Sequence, residues 1–442
     1  MFKLWLFFVI LQLLLSVGVV FAKEHDVCKH EQKFSQIWYI NGCDKNIEVE
    51  EVTTLYSGDH GKDEYWKLNN KKSYKNVTWS EIPEESNPNY ELLEHYLKKY
   101  ITYSDMNRPY TFRITPTNAK SFDYVIKEDT SVTKALNKTA LLSYLMFEDG
   151  AIVIDQKSPV DRFGHLFNDE TLYVSNSMGK SIQSYIVGHA VCRGHIGGIH
   201  EAMQWDILEN TLYEGQPLLN VLNMSTGLNK YFKKHSSKFK KSKRWVNGIS
   251  LESIFEQELK NSTAAKSAGK VYSYNNMNTN LLASYVLHKM GHEKYEEMLS
   301  EIFADKVGIQ HDMVFYKPRG ADVDEASITY GTFMTRYDYL RIAVAMLDDW
   351  NNNTCEGKYL KSLWDNKIKK NESYKFKNAS FSNPKYYGGQ FHMGMTGNKR
   401  PIFSIDGFGG QNIVIDFENN KIVSILAVHR NFNWMKLVHS KF

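Results

Sequence analysis

Two pairs of apolar segments, one pair at each end of the patterned part of the chain, most strongly limit the possible folds. Residues 139–147 and 151–155 flank a tight Asp-Gly turn, which predicts a β-hairpin. Residues 413–417 and 421–428 flank Glu-Asn-Asn and predict a second hairpin. Between them, residues 180–350 are rich in helical patterns. The order of strands, helices and strands predicts one sheet assembled from both ends of the chain.

This order predicts an α+β fold. We expect an antiparallel sheet flanked by helices, with a mainly helical middle region inserted between its two halves. The last residues, 432–442, are expected to close the chain as a helix. We expect residues 116–442 to form this main domain, and residues 23–115 to be an N-terminal extension that packs on it. An independent small domain at 23–115 is the alternative.

The segment around Ser177 predicts a strand that leads directly into a helix. Residues 170–174 are apolar and extended in pattern, and buried-type side chains from Met178 to Ile186 recur at spacings of three and four. Gly194 is expected to end the helix. Residues three apart on a helix are neighbours, so the Ser177 hydroxyl is expected to lie beside the Lys180 amine.

This pair has a chemical use. A serine hydroxyl is a weak nucleophile unless a base removes its proton. Lysine is a poor base at neutral pH, because its ordinary pKa is about 10.4. Burial and the positive end of a helix both favour the neutral amine, and Lys180 is expected to experience both. Taken alone, Ser-x-x-Lys is a weak signal of a catalytic pair. The alternative is a serine without catalytic function near a helix start, with a lysine that faces solvent.

The first 22 residues predict a targeting segment. Lys3 precedes an apolar run over residues 4–21, and small residues near Ala22 suit cleavage before Lys23. An uncleaved membrane anchor is the alternative, since the run is about long enough to span a bilayer. Either way the protein is expected to be exported, to the periplasm or the exterior, and export makes disulfides possible.

The charge balance limits the partners. The 442 residues carry a net charge of +4, which does not indicate nucleic-acid binding. Residues 233–244 contain seven Lys or Arg and predict a solvated loop. Binding to an anionic membrane surface or an acidic substrate is the alternative for that segment. The expected partner is a small-molecule substrate; oligomeric state is not indicated by the sequence.

Four cysteines occur in the sequence. Cys28 and Cys43 flank a short segment that a disulfide between them could staple, but the sequence does not determine the pairing. Cys192 lies on the Ser177 helix and is expected to be a buried free thiol. His195 and His200 flank a glycine pair but lack a third ligand, so no metal is expected. No cofactor is expected either.

Four further segments follow the Ser-x-x-Lys motif in a fixed order. They are 218–228 (LLNVLNMSTGL), 272–278 (YSYNNMN), 330–338 (YGTFMTRYD) and 406–411 (DGFGGQ). Together with Ser-x-x-Lys they resemble the serine β-lactamase and penicillin-binding-protein hydrolases over roughly residues 130–430. Within that superfamily the chain is similar to the class C β-lactamase-like branch, which includes esterases and 6-aminohexanoate-dimer hydrolases. In the third segment of the four, Tyr330 replaces a family glycine.

The resemblance implies a β-lactamase-like fold and two-step acyl transfer. Ser177 would attack a carbonyl, Lys180 would take or relay its proton, and Tyr274 would protonate the leaving group and activate water. A tyrosine beside a lysine ammonium is stabilised as phenolate, so Lys180 and Tyr274 are expected to titrate as a coupled pair.

The resemblance also implies supporting residues. The oxyanion would be held by the backbone N–H groups of Ser177 and Gln411. Asn276 would hydrogen-bond Lys180 or the substrate. Gly409 and Gly410 would let the substrate approach the backbone, because neither carries a Cβ.

One departure from the family pattern bears on the substrate. Phe408-Gly409-Gly410 stands where β-lactamases and peptidases carry Lys-Thr-Gly or His-x-Gly, so the cation for a substrate carboxylate is absent from this motif. The predicted activity is therefore amide or ester hydrolysis through a Ser177 acyl-enzyme. A β-lactamase or D-alanyl-D-alanine peptidase is the first alternative, and a non-catalytic binding protein on the same fold is the second.

Overall fold

The computed structural model describes residues 97, 101–102, 110–227, 251, 255–316, 331–370, 384–394, 399–428 and 435–442. The targeting segment 1–22, the Cys28 and Cys43 pair and the basic segment 233–244 lie outside these residues. Most of the extension 23–115 also lies outside them, so the predictions for all four regions stay predictions.

The described strands are, in chain order, β1 (Tyr110–Ile114), β2 (Asp123–Tyr124), β3 (Leu141–Glu148), β4 (Ala151–Lys157), β5 (Tyr173–Val174), β6 (Met313–Tyr316), β7 (Thr332–Met334), β8 (Ile368–Lys369), β9 (Tyr386–Gly388), β10 (Phe391–Met393), β11 (Ile402–Gly407), β12 (Gln411–Asp416) and β13 (Lys421–Ala427). The described α-helices are α1 (Thr130–Lys138), α2 (Met178–Cys192), α3 (Leu218–Leu222), α4 (Asn276–Met290), α5 (His292–Ser300), α6 (Arg336–Asn351), α7 (Cys355–Asp365) and α8 (Met435–Val438). Two π-helical segments, Phe255–Leu259 and Glu301–Val307, complete the helical middle region.

The central sheet contains strands from both ends of the patterned chain, as predicted. Its order is β2-β4-β3-β13-β12-β11-β10-β9-β8. The two predicted hairpins, β3–β4 and β12–β13, meet through an antiparallel pairing of β3 with β13. In the first hairpin the turn residues Asp149 and Gly150 have φ of 47° and 92°, the left-handed conformation that a tight two-residue turn requires. The predicted α+β fold is confirmed.

The sheet differs from the prediction in two respects. The short β2 pairs with β4 in parallel, so the sheet is not wholly antiparallel. Strands β8 to β11 extend the sheet beyond the C-terminal hairpin, although most are only two or three residues long. Segments this short carry too few alternations of apolar and polar side chains to form a recognisable pattern.

A second, four-stranded sheet of order β1-β6-β7-β5 was not predicted. Its strands are short and distant in sequence, so only the tertiary fold brings them together. β5 pairs with β7, and Ser175, directly after β5, donates its backbone N–H to the Thr332 carbonyl at 2.7 Å. This small sheet therefore fixes the end of the strand that leads into the Ser177 helix.

Helix α2 is buried on all sides between the sheet and the helical region. Every residue from Met178 to Ala190 is buried, and Ile182 and Tyr185 belong to the main hydrophobic core. The helix packs against α4, α7 and β11. Gly194, with φ of 76°, follows its last turn, as the sequence predicts.

The family-like segment 330–338 contains β7 and leads into the first turn of α6. The Thr335 hydroxyl accepts the Asp338 N–H at 3.1 Å and caps the helix. The Asp338 carboxylate accepts the backbone N–H of Gln310 at 2.8 Å and bonds Arg341 at 3.0 Å. In the part that the structure describes, this segment serves the packing of α6. Tyr330 itself lies outside the described residues.

The chain closes with a short helix. α8 covers Met435–Val438, less than the predicted 432–442, and packs Met435 and Leu437 against the outer face of the sheet. Across all the described helices, none combines the length and the apolar character needed to cross a membrane.

The prediction of a free thiol at Cys192 is wrong. Cys192 is the last residue of α2 and forms a disulfide with Cys355, the first residue of α7. The two helices pack closely because Gly188 leaves room for the Tyr359 ring, which would lie 2.7 Å from an added Cβ. The cysteines are 163 residues apart in sequence, so no local pattern pairs them.

Replacing both cysteines with alanine is expected to lower the free energy of unfolding by about 3 kcal/mol, because the bridge restricts the unfolded chain over a long loop. Urea unfolding followed by tryptophan fluorescence measures this difference. Wild type and the Cys192→Ala/Cys355→Ala variant, both treated with reductant, should unfold at the same midpoint, because reductant also opens any disulfide between Cys28 and Cys43 in both proteins. An unchanged wild-type midpoint, with Cys192 and Cys355 shown to be alkylated, would contradict the prediction.

Candidate active site

Ser177 lies at the turn where β5 passes into α2. The preceding residue, Asn176, has φ of 44°, a left-handed conformation uncommon outside glycine, whereas Ser177 is already helical with φ of −68°. Ser177 is partly exposed, although Met178 after it is fully buried. The hydroxyl is therefore presented at the surface by a backbone that is held in place.

Lys180 lies beside Ser177, as the spacing predicts. Its Nζ atom is 3.2 Å from Ser177 Oγ, and the lysine is only 2% exposed. Burial disfavours the ammonium form and lowers the pKa of Lys180 to about 7. At neutral pH a large fraction of Lys180 is thus a neutral amine that can accept the Ser177 proton.

Tyr274 completes this group from the segment before α4. Its hydroxyl is hydrogen-bonded to Ser177, and Lys180 Nζ lies 5.1 Å from the centre of its ring. Burial raises the pKa of Tyr274, the bond to Ser177 acts in the opposite direction, and the Asp406 carboxylate raises the pKa further. The coupled titration of Lys180 and Tyr274 stays a prediction. Burial disfavours charge on both groups, so near pH 7 Tyr274 is a neutral phenol and Lys180 is divided between the neutral amine and the ammonium.

Two family-like segments together place Tyr274. The Ser273 N–H donates to the Met224 carbonyl at 2.7 Å, which joins residues 272–278 to the segment after α3. On the other side of Tyr274, the Asn275 side chain accepts the Asn278 N–H at 2.9 Å and caps α4. The tyrosine is therefore fixed from both sides.

Asn276 is less well placed than predicted for a contact with Lys180. It is the first residue of α4, and its side chain is exposed. The buried asparagine of this helix is Asn278, which accepts a hydrogen bond from the Tyr213 hydroxyl at 2.8 Å. A bond from Asn276 to Lys180 or to the substrate stays a prediction.

The glycines of the segment 406–411 bring the turn between β11 and β12 close to the nucleophile. Gly409 and Gly410 have φ of 88° and 95°, conformations that other residues rarely adopt. At Gly407 an added Cβ would lie 2.8 Å from the Ser175 carbonyl oxygen. This turn is therefore in direct contact with the turn that carries Ser177.

Asn176 joins the two turns. Its side-chain amide donates to the Phe408 carbonyl at 2.9 Å and to the Gln411 side-chain oxygen at 3.1 Å. The Gln411 amide in turn donates to the Ala427 carbonyl at 3.1 Å. These bonds hold the Gln411 backbone near Ser177, and its N–H as an oxyanion donor stays a prediction. Asn176 was not identified from sequence, although asparagine's tolerance of left-handed backbone was a usable signal.

A further polar group, also not identified from sequence, adjoins Tyr274. The Tyr387 ring lies edge-on to Tyr274 at 6.4 Å, and His392 lies edge-on to Tyr387 at 5.0 Å. Lys370 Nζ is 3.1 Å from His392 Nδ1. These residues come from β9, β10 and the residue after β8, none of which carries a sequence pattern.

Comparisons with known proteins agree with this architecture. The sequence model described as Beta-lactamase matches residues 131–436. A protein provisionally assigned as a 6-aminohexanoate-dimer hydrolase from Bacillus anthracis is similar in structure, with a TM-score of 0.55, 14% identity, and coverage of 75% of this chain and 88% of its own. A provisionally assigned β-lactamase from Bacteroides dorei DSM 17855 has a TM-score of 0.51, 16% identity, and coverage of 69% and 91%. A search of curated proteins found no significant match.

Proposed function

Because the chain belongs to the beta-lactamase family, whose fold is that of serine hydrolases, we propose that it cleaves an amide or ester bond through a Ser177 acyl-enzyme. One observation carries the proposal: Ser177 Oγ lies 3.2 Å from an amine whose burial brings its pKa to about 7. A solvent-facing lysine would be protonated at neutral pH and unable to act as a base. The partial exposure of Ser177 leaves its hydroxyl open to a substrate.

In the proposed acylation step, Lys180 takes the Ser177 proton while Oγ bonds to the substrate carbonyl carbon. The negative charge moves to the carbonyl oxygen, which the N–H groups of Ser177 and Gln411 would stabilise. When the carbonyl re-forms, the bond from its carbon to the leaving nitrogen or oxygen breaks, and the neutral Tyr274 phenol donates its proton to that atom. Tyr274 recovers a proton from the Lys180 ammonium. Water then attacks the acyl-enzyme, with the same groups acting in reverse. No cofactor takes part in these steps.

The Phe408-Gly409-Gly410 sequence favours linear amides or esters over β-lactams, because this motif holds no cation for a β-lactam carboxylate. β-Lactamase or D-alanyl-D-alanine peptidase activity is the alternative among enzymes. A binding protein is the alternative that is not an enzyme. Such a protein would have no need of a buried amine bonded to an accessible serine hydroxyl.

The proposal is tested by offering short 4-nitrophenyl acyl esters, a linear amide and nitrocefin to the protein. We expect ester hydrolysis, a transient mass increase equal to the acyl group, and much slower turnover of nitrocefin. Faster turnover of nitrocefin than of the esters would support the β-lactamase alternative instead. No turnover and no mass increase with any of them would support the binding protein.

We further propose that the protein acts outside the cytoplasm. The apolar N-terminal run supports export. The Cys192–Cys355 disulfide supports it independently, since disulfides persist mainly in oxidising compartments. Fractionation of expressing cells, with mass analysis of the mature N-terminus, tests both export and cleavage before Lys23.

Replacing Tyr274 with phenylalanine is expected to lower kcat by about 10²-fold, because it removes the proposed proton donor to the leaving group. The loss should be smaller for 4-nitrophenyl esters than for amides, because 4-nitrophenolate leaves without protonation. Tyr272→Phe, two residues earlier in the chain and buried against Tyr387, is the matched control and should retain activity. Equal losses for ester and amide would contradict the assigned role.

A further inference from the structure

A second lysine is held on the same side of the site as Tyr274. Lys370 follows β8, and its backbone N–H donates to the Lys385 carbonyl at 2.9 Å. Its side chain lies against His392, with Nζ 3.1 Å from Nδ1. Burial and the charges of Lys370 and Lys180 hold the pKa of His392 well below its usual range, so the ring is neutral and accepts the bond from the lysine. Burial lowers the pKa of Lys370 to about 8, which leaves it mostly charged at neutral pH.

Two buried polar atoms near the pair of Lys370 and His392 lack hydrogen-bond partners within the described part of the chain. They are the hydroxyl of Tyr387, which is 0% exposed, and Oδ2 of Asp406, which is 5% exposed. Buried polar groups are nearly always hydrogen-bonded, because leaving them unpaired is costly. Tyr387 also contacts the Tyr274 ring, so these atoms adjoin the proposed acyl-transfer site. The unpaired Tyr387 hydroxyl and Asp406 Oδ2 beside this site indicate that a polar group of a ligand binds there.

We infer that Lys370 and Tyr387, supported by His392, form a subsite for a carboxylate of the substrate, remote from the acyl carbon that Ser177 attacks. An ammonium and a phenol are both donors and complement a carboxylate. The segment Phe408-Gly409-Gly410 carries no positive charge. In this subsite the charge comes from Lys370, at the edge of the sheet. The inference rests on the proposed function, because it assigns the carboxylate to the substrate of Ser177.

Asp406 is the acidic residue facing this subsite. Burial raises its pKa to about 7, against the opposing effects of an Asn412 hydrogen bond and the Lys370 charge. Near neutral pH the carboxyl is therefore partly protonated, and the protonated form donates to a carboxylate rather than repelling it. The other titratable groups on this side are Lys180 and Tyr274. Near neutral pH Tyr274 is uncharged and Lys180 is only partly charged.

The test compares two esters of matched length, the 4-nitrophenyl monoester of glutaric acid and 4-nitrophenyl pentanoate. Lys370→Met is expected to lower kcat/KM for the anionic ester by about tenfold, mainly through KM, and to leave the neutral ester nearly unchanged. Lys370→Arg should retain the preference for the anionic ester. Lys369→Met is the matched control, because Lys369 is exposed on β8 and should not affect the ratio of the two values.

Binding to the Ser177→Ala variant separates this inference from the proposed function. Ligand-observed NMR should show hexanoate binding about tenfold more tightly than hexanamide, with the difference lost when Lys370→Met is added. If wild type hydrolyses neither ester, the proposed function fails while this measurement still decides the subsite. Equal affinities for hexanoate and hexanamide would overturn the inference. So would equal effects of Lys369→Met and Lys370→Met on the ratio of kcat/KM for the two esters, or a wild-type preference for a cationic ester.

Discussion

Replacing Ser177 with alanine is expected to abolish both hydrolysis and covalent labelling by a fluorophosphonate. Its Oγ atom is the only atom proposed to bond to the substrate, so the variant has no route to an acyl-enzyme. We expect kcat/KM to fall by at least about 10³-fold, the scale seen when a catalytic nucleophile is removed. Intact-mass spectrometry should show one phosphonyl adduct on wild type and none on the variant.

Ser184→Ala is the matched control for this experiment. Ser184 lies on the same helix, but its hydroxyl bonds the Tyr359 hydroxyl at 3.0 Å, away from the site. This variant should be labelled like wild type. Labelling of Ser177→Ala, or an adduct mapped to another residue of wild type, would show that Ser177 is not the nucleophile. No adduct on folded wild type would favour the binding-protein alternative.

Replacing Lys180 with methionine is expected to lower kcat/KM by about 10³-fold, because it removes the proposed general base. In wild type, kcat/KM should rise with pH and level off above about 7, since only the neutral amine accepts a proton. Below that pH the rate should fall about tenfold per pH unit. Arginine keeps the positive charge but does not deprotonate, so Lys180→Arg should be as inactive as Lys180→Met.

Stability distinguishes a lost base from a damaged fold. The pKa of Lys180 is lower in the folded protein than in the unfolded chain, so between about pH 7 and 10.4 the unfolded chain binds more protons. Stability should therefore rise with pH across that window, and keeping a neutral Lys180 lowers the stability of wild type at pH 7. Lys180→Met should be at least as stable as wild type in urea unfolding at that pH. Two results would contradict the assigned role: a wild-type kcat/KM that does not change from about pH 5 to 8, or an inactive Lys180→Met variant that is also less stable than wild type.

Much of the fold was predictable because its main signals are local. The apolar runs of β3, β4, β12 and β13 and the helical spacing of α2 each lie within a few residues of one another. Tight turns at Asp149-Gly150 and the stop at Gly194 follow from backbone conformations that only certain residues tolerate. The pairing of β3 with β13 could be anticipated because hairpins at both ends need a common core.

The remaining features depend on contacts between distant segments. Cys192 and Cys355 pair only because α2 and α7 pack together, and local sequence around Cys192 therefore did not reveal its partner. The four-stranded sheet and the short strands β8 to β10 give no periodic signal. Lys370 and His392 were missed for the same reason, since they come from these edge strands and belong to no motif.

The sequence by itself determined which groups can react: the spacing of Ser177 and Lys180 on one helix makes them neighbours wherever that helix is placed. The tertiary structure decided their protonation. Lys180 is a base near neutral pH only because α2 is enclosed by the sheet and the surrounding helices, which removes water from its amine. The same enclosure keeps Tyr274 a neutral phenol. Spacing along a chain fixes which atoms can meet, but desolvation depends on everything packed around them.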